Sequence, residues 1–151
     1  MEDFLNRFDK AFGRMLGKTA FAFRSQVSHE LSETEIELSA EQAIILMNMW
    51  HLDGLSQQMI ADFLHRDKTS TTRWIDVLEK CHLVVRVPDQ QDRRQNMIHL
   101  TQEGRETCLK LAGVFARVHQ KALKGVPQED IDVCERVFDQ IRTNLKATWL
   151  K

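Results

Sequence analysis

Residues Ser56 to Lys80 read SQQMIADFLHRDKTSTTRWIDVLEK. Two helical patterns stand here with a tight break at Arg66-Asp67 between them. In the first, QQMIADFLH, Ser56 is placed to cap, and Ile60, Phe63 and Leu64 turn to one side. The second opens on four hydroxyl residues, Thr69, Ser70, Thr71 and Thr72, flanked by Lys68 and Arg73. Such side chains compete for backbone hydrogen bonds and are indifferent helix formers, so their use at a helix start asks for a reason. On a wheel of about 100° per residue, Thr71, Trp74, Ile75, Leu78 and Cys81 fall inward. Thr69, Arg73, Asp76 and Lys80 fall outward, with Ser70 and Thr72 at the margins. The outward N-terminal end thus carries small hydroxyls and an arginine. Hydroxyls can serve phosphates or base edges, arginine can grip guanine through two hydrogen bonds, and the helix N-terminus favours phosphate. The same run also suits a plain solvated first turn capped by Asp67, and the neighbouring segments must decide.

Upstream, Ser39 with Gln42 fits a capping box, and the helix it starts, with Ile44, Ile45, Met47, Met49 and Trp50, stops at Asp53-Gly54. Downstream, the period changes. Leu83 to Val87 is β-branched and ends at Pro88; polar DQQDRRQ follows, then Met97 to Leu100, which predicts a hairpin with Arg93 and Arg94 at its tip beside Asp92. Helix-turn-helix plus hairpin is a winged helix. Arginine at a wing tip can enter the minor groove, and a neighbouring aspartate can hold it in one rotamer. Lys68, Arg73, Lys80 and Arg86 gather around the same expected surface.

Helices flank this unit. Phe4, Phe8, Phe12 and Met15 predict one over residues 2–29, and SETEIE (32–37) is a connector. Thr101 in TQEG caps a helix to about Lys124, and Pro127 opens a last one bearing Ile131, Cys134, Val137, Phe138, Ile141 and Leu145. Their apolar stripes need each other or a second subunit, because amphipathic helices gain most of their stability from packing. The expected architecture is mainly α with a small β-hairpin wing in one domain, 1–151. It comprises a winged helix-turn-helix DNA-binding lobe at 39–101 and a helical dimerisation region at 2–30 and 102–150.

Composition bounds the class. The chain has 151 residues, 42% hydrophobic and 28% charged, with a net charge of -1, so any basic surface is local. No apolar run is long enough for a bilayer, and MEDFLNRFDK lacks the apolar region of a secretory signal. Cys81, Cys108 and Cys134 are odd in number with no metal-like spacing, which fits a reduced cytoplasmic protein. No nucleophile-base pair, phosphate loop or paired catalytic carboxylates argue for an enzyme.

The ordered segments LSAEQ (38–42), SQQMIADFLHRDKTSTTRWIDVLEK (56–80), LVVRVPDQQDRR (83–94) and HLTQEG (99–104) resemble the MarR family of bacterial transcriptional regulators. They are spread over residues 38–104, a little under half of the chain, and the D-x-R wing followed by LTxxG is specific in combination. The resemblance implies a homodimer reading a palindromic double-stranded operator, most often as a repressor, with the recognition helix in the major groove and Arg94, steadied by Asp92, at the minor groove. The DNA-binding set is then Lys68, Thr69, Ser70, Thr72, Arg73, Lys80, Asp92, Arg93 and Arg94. It also implies control by a small effector, often an aromatic acid, or by cysteine oxidation. Effectors in the family bind between the first helix, the DNA-binding lobe and the fifth helix, where Phe12, Met15, Trp50, His51, Phe115 and His119 are candidate linings; ordinary core packing is the alternative for each. No cofactor is implied.

Two departures stand out. The family usually has Gly after the recognition helix, where this chain has His82; a left-handed residue is costlier for His, which leaves open a turn built differently. Peroxide sensors of the family carry a cysteine in the first helix, which this chain lacks, along with any Tyr. Cys81 has Lys80, His82 and Arg86 near in sequence, which can lower a thiol pKa; Cys108 and Cys134 sit on apolar stripes and are expected in the core. No paired-histidine motif exists, though a metal could be gathered across helices by His29, Glu30, Glu41 and His119. The rival reading is a winged helix used for protein contacts alone.

Overall fold

The computed structural model describes residues 12–64, 67–90, 92 and 95–145. They form α1 (Phe12–Ser32), α2 (Ala40–His51), β1 (Leu55–Ser56), α3 (Gln57–Leu64), α4 (Lys68–Lys80), β2 (Val84–Pro88), β3 (Asn96–Leu100), α5 (Gln102–Ala122) and α6 (Gln128–Asn144). The helical pattern at Phe4 and Phe8, and the wing tip at Arg93 and Arg94, lie outside the described residues.

Side-chain caps set most of these boundaries. Ser39 Oγ accepts from the Gln42 amide at 3.2 Å, and Gln42 Oε1 accepts from the Ser39 amide at 2.8 Å, the reciprocal box its spacing predicts. Ser56 Oγ accepts from Met59 N–H at 3.2 Å and starts α3. Thr101 Oγ accepts from Gly104 N–H at 2.9 Å and starts α5. Each cap answers an amide that has no partner inside its own helix.

The core gathers the inner stripe of every element but the last. Leu46 and Met49 of α2, Ile75 and Leu78 of α4, Ile98 of β3 and Leu111 and Val118 of α5 are fully buried, with Val27 of α1 against them. Removing such a side chain from water stabilises the fold by roughly 1.5–3 kcal/mol. Cys108 joins this core, donating to the Leu46 carbonyl at 3.4 Å, and burial pushes its thiol pKa up. Cys134 does not join it: no residue of α6 is buried, and Val133, Val137 and Phe138 are exposed beside it. Cys81 also departs from expectation. It is the C-cap of α4, where helical geometry has ended, so the wheel no longer points it inward and it is exposed.

The wing is a three-stranded antiparallel sheet, in the order β1-β3-β2. The hairpin read from the sequence pairs Val84 with Leu100 through Pro88 with Asn96. Two further residues, Leu55 and Ser56, pair with Ile98 and Met97. A strand of two residues has no period to detect, which is why it is absent from the sequence reading.

The turn between α4 and β2 keeps the left-handed position that the sequence reading left open. His82 takes the left-handed conformation itself, with φ of 57°. Its amide donates to Glu79 O and the Leu83 amide to Leu78 O, each at 2.9 Å, which closes a Schellman motif with Leu78 and Leu83 both in the core. The His82 carbonyl accepts from Thr101 Oγ at 2.5 Å, and the Leu83 carbonyl accepts from Thr101 N–H at 3.1 Å. Gly104 is needed for the same approach: a Cβ there would lie 2.0 Å from the Leu83 carbonyl oxygen. The LTxxG pattern is therefore the footprint of α5 landing on the recognition helix's exit turn.

Two substitutions at this junction should move stability in opposite directions. His82→Gly relieves the left-handed strain and should raise stability by about 0.5–1 kcal/mol, reduced by the extra freedom of Gly in the unfolded chain. Gly104→Ala drives a methyl into backbone and should lower stability by about 2–3 kcal/mol. Urea unfolding of the three proteins under one condition checks both signs.

Candidate nucleic-acid interface

The first turn of α4 is built around Asp67. Its carboxylate accepts from the Ser70 amide and, through the other oxygen, from the Ser70 hydroxyl, both at 2.8 Å. These two donors, the amide first, hold the Asp67 carboxyl below its usual range. Thr71 is fully buried and its hydroxyl donates to the Asp67 carbonyl at 3.1 Å. Thr72 donates to the Lys68 carbonyl at 2.7 Å and accepts from the Gln57 side chain of α3.

The four hydroxyls are therefore not equivalent. Thr71 belongs to the core. Ser70 and Thr72 have committed their protons and offer only lone pairs to a ligand. Thr69 is exposed, as are Lys68, Arg73 and Lys80. These three cations make no ion pair among the described residues. Sequence alone did not find Gln57, whose partner lies 15 residues away; only the packing of α3 on α4 brings it there.

Arg86 differs from its sequence reading. Its guanidinium binds Asp76 at 2.6 Å through one nitrogen and Glu79 through the other, and its side chain is only 19% exposed. It is a link between β2 and α4 rather than a free cation of the surface. In the wing, the Gln95 side chain donates to Asp92 at 3.2 Å and the Gln95 amide to the Asp92 carbonyl at 2.9 Å. The expected pairing of Asp92 with Arg94 falls outside the described residues.

Behind the wing, Asp53 ties the lobe together. It accepts from the Leu100 amide at 3.0 Å and from Arg105 of α5 at 2.5 Å, with His99 Nδ1 at 3.6 Å. Gly54 beside it has φ of 80°, and a Cβ there would meet the His99 ring at 2.9 Å.

The candidate effector linings differ in exposure. Phe12 and Met15 are more than half exposed, Trp50 and His51 are exposed, and Phe115 packs partly against the core. His119 lies edge-on to Phe23, with ring centroids 6.2 Å apart. A cleft of about 330 Å³ opens between α1 and α5, but Thr19, Phe23, Gln26, Val118 and Lys121 are among its lining and none of the six candidates is. Among the described residues no three metal-ligating side chains converge. Glu30, considered above as a ligand, is instead clasped by Arg117 at 2.8 Å and Lys121 at 2.9 Å.

Two helices joined by a short turn, the second exposing cations and a hydroxyl beside a three-stranded wing, define a winged helix-turn-helix protein. A model of the MarR family matches residues 38–95, the segment from the α2 cap into the wing. YybA of Bacillus subtilis, an uncharacterized HTH-type transcriptional regulator, is 23% identical over 136 residues, 90% of this chain and 89% of that protein. TtmR of Methylorubrum extorquens, an HTH-type transcriptional regulator, is 35% identical over 95 residues; the match spans 63% of this chain and 42% of TtmR. Among solved structures, a putative MarR family regulator of Listeria monocytogenes in complex with a 26mer DNA superposes with a TM-score of 0.79. It is 24% identical, over 93% of this chain and 92% of that one. Over residues 38–95 the chain is thus similar to the MarR family of transcriptional regulators, and its fold is that of the winged-helix proteins of this family.

The Glu30 clasp gives a pH prediction. Hydrogen bonds from Arg117, then from Lys121, hold the Glu30 carboxyl at about 2 against its ordinary 4.5. A carboxyl depressed on folding stabilises the fold above its unfolded value, and that contribution fades as pH falls through the folded one. The melting temperature of wild type should exceed that of Glu30→Gln above pH 4.5, and the gap should close toward pH 2. A gap independent of pH over that range would contradict the clasp.

Proposed function

We propose that this protein binds a palindromic double-stranded operator as a homodimer, as a repressor, and that a small effector, such as an aromatic acid, modulates it. The observation that carries the DNA-reading half is the division of α4. Thr71, Ile75 and Leu78 anchor it in the core, while Lys68, Thr69 and Arg73 at its N-terminal end stay exposed. In this reading α4 enters the major groove, Ser70 and Thr72 accept from base or water donors, and Lys68 and Lys80 meet phosphates. Asp92, Arg93 and Arg94 reach the minor groove from the wing, a role that rests on the resemblance of the D-x-R motif.

The lobe is 39–101, and residues 2–30 and 102–150 form the dimerisation region. Support comes from α6: it buries nothing within one chain, yet it carries Val133, Val137 and Phe138 on its surface. A helix this exposed gains its stability from a partner. Two-fold symmetry would set two α4 helices at successive major grooves about 10 bp apart. The effector would act by favouring one spacing of the two lobes, and only to the extent that it binds that spacing better.

Fluorescence anisotropy with a duplex from upstream of its own gene tests the DNA reading. Arg73→Ala should weaken binding by about 1–3 kcal/mol and relax selectivity at one base pair. Lys68→Ala should weaken all duplexes alike and lower the salt dependence by about one counterion. Binding no tighter than to random duplex, even at low salt, would favour a protein-contact role instead. Separately, Val137→Asp should shift the sedimentation mass from two chains toward one.

A further inference from the structure

We propose that Arg86 is a positioning residue for DNA binding, acting through Asp76 and Glu79 rather than by touching the duplex; the inference rests on the operator-binding reading above. Arg86 is paired with Ile98 across the hairpin, so it lies on the sheet face turned toward the helices, while Val85 and Val87 point outward. Asp76 and Glu79 are one turn apart on α4, and each takes one terminal nitrogen of the guanidinium. The fork therefore bridges the hairpin and the recognition helix.

The charge arrangement gives the bridge its importance. Asp76 lies on the same outward face of α4 as Arg73 and Lys80, and its side chain is 45% exposed. Glu79 is 39% exposed. Uncompensated, the two carboxylates would repel the phosphates that Arg73 and Lys80 attract. Arg86 sits against both, is itself mostly covered, and has its terminal nitrogens engaged. It thus holds the wing at one angle to α4 and cancels one of the two negative charges beside the reading head. Because a strand's side chains alternate, a slip of one residue in the β2–β3 register would turn Arg86 outward and abolish both effects.

Arg86→Met should weaken duplex binding about tenfold while leaving the salt slope at the wild-type value, because no phosphate contact is lost. Adding Asp76→Asn and Glu79→Gln to Arg86→Met should recover most of that loss. A triple variant no better than Arg86→Met, or a slope lowered by about one, would mean that Arg86 grips phosphate directly and would overturn the proposal. A second measurement needs no DNA. Hydrogen exchange of the free protein should show β2 and β3 amides exchanging about tenfold faster in Arg86→Met, with α5 unchanged. Equal exchange in the hairpin overturns the bridge, whatever the binding assay gives. If wild type fails to select its duplex, the operator reading falls, and the exchange measurement still decides the bridge.

Discussion

The backbone of Leu83 is where this fold is decided. Its amide closes the last turn of α4 onto Leu78, its carbonyl receives Thr101 at the start of α5, and its side chain enters the core. Helix, hairpin and long helix meet over a single residue, so none can reposition alone. The approach is close enough to exclude a Cβ at position 104 and to force a left-handed residue at position 82. A histidine accepts that conformation here because three hydrogen bonds and a hydrophobic contact around it outweigh a local cost of about 1–2 kcal/mol. Fixing α4 in this way aims its exposed N-terminal end, and that orientation is what a groove-reading helix requires.

Charge is organised by sequestration as much as by accumulation. A chain with a net charge of -1 presents no bulk attraction for a polyanion. Arg86 lies in the winged-helix lobe and Arg105 borders it, yet they are held by Asp76, Glu79 and Asp53, and so serve the frame. Lys68, Arg73 and Lys80 remain exposed. The hydroxyl run divides in the same way, with Thr71 and the protons of Ser70 and Thr72 given to the helix start. A motif that looks uniform in sequence is divided: Thr71 is buried, Ser70 and Thr72 keep only lone pairs to offer, and Thr69 is exposed.

What the sequence made legible follows from range. Caps, helix periods and the hairpin are local, and Ser39–Gln42, Asp67 and Thr101 all act within three residues of themselves. Contacts made by tertiary packing stayed hidden: Gln57 on Thr72, Asp53 on Arg105, and Glu30 on Arg117 join residues 15 to 87 positions apart. Arg86 departs from its sequence reading for the same reason, since a basic residue near a basic surface reads as part of it until its partners are seen. Cys81 is exposed where the wheel points inward, because a helical wheel keeps turning after the helix has ended.

One further consequence comes from the length of α5. Its 21 residues run unbroken from the Leu83 junction to the Glu30 clasp, a rod of roughly 30 Å. Such a rod is a lever arm. A tilt of about 5° at the clasp carries the opposite end, and the exit turn of α4 fastened to it, through roughly 3 Å. That is close to the rise of one base step, about 3.4 Å, so under the proposed operator reading a small rotation at the clasp would displace α4 by about one base step.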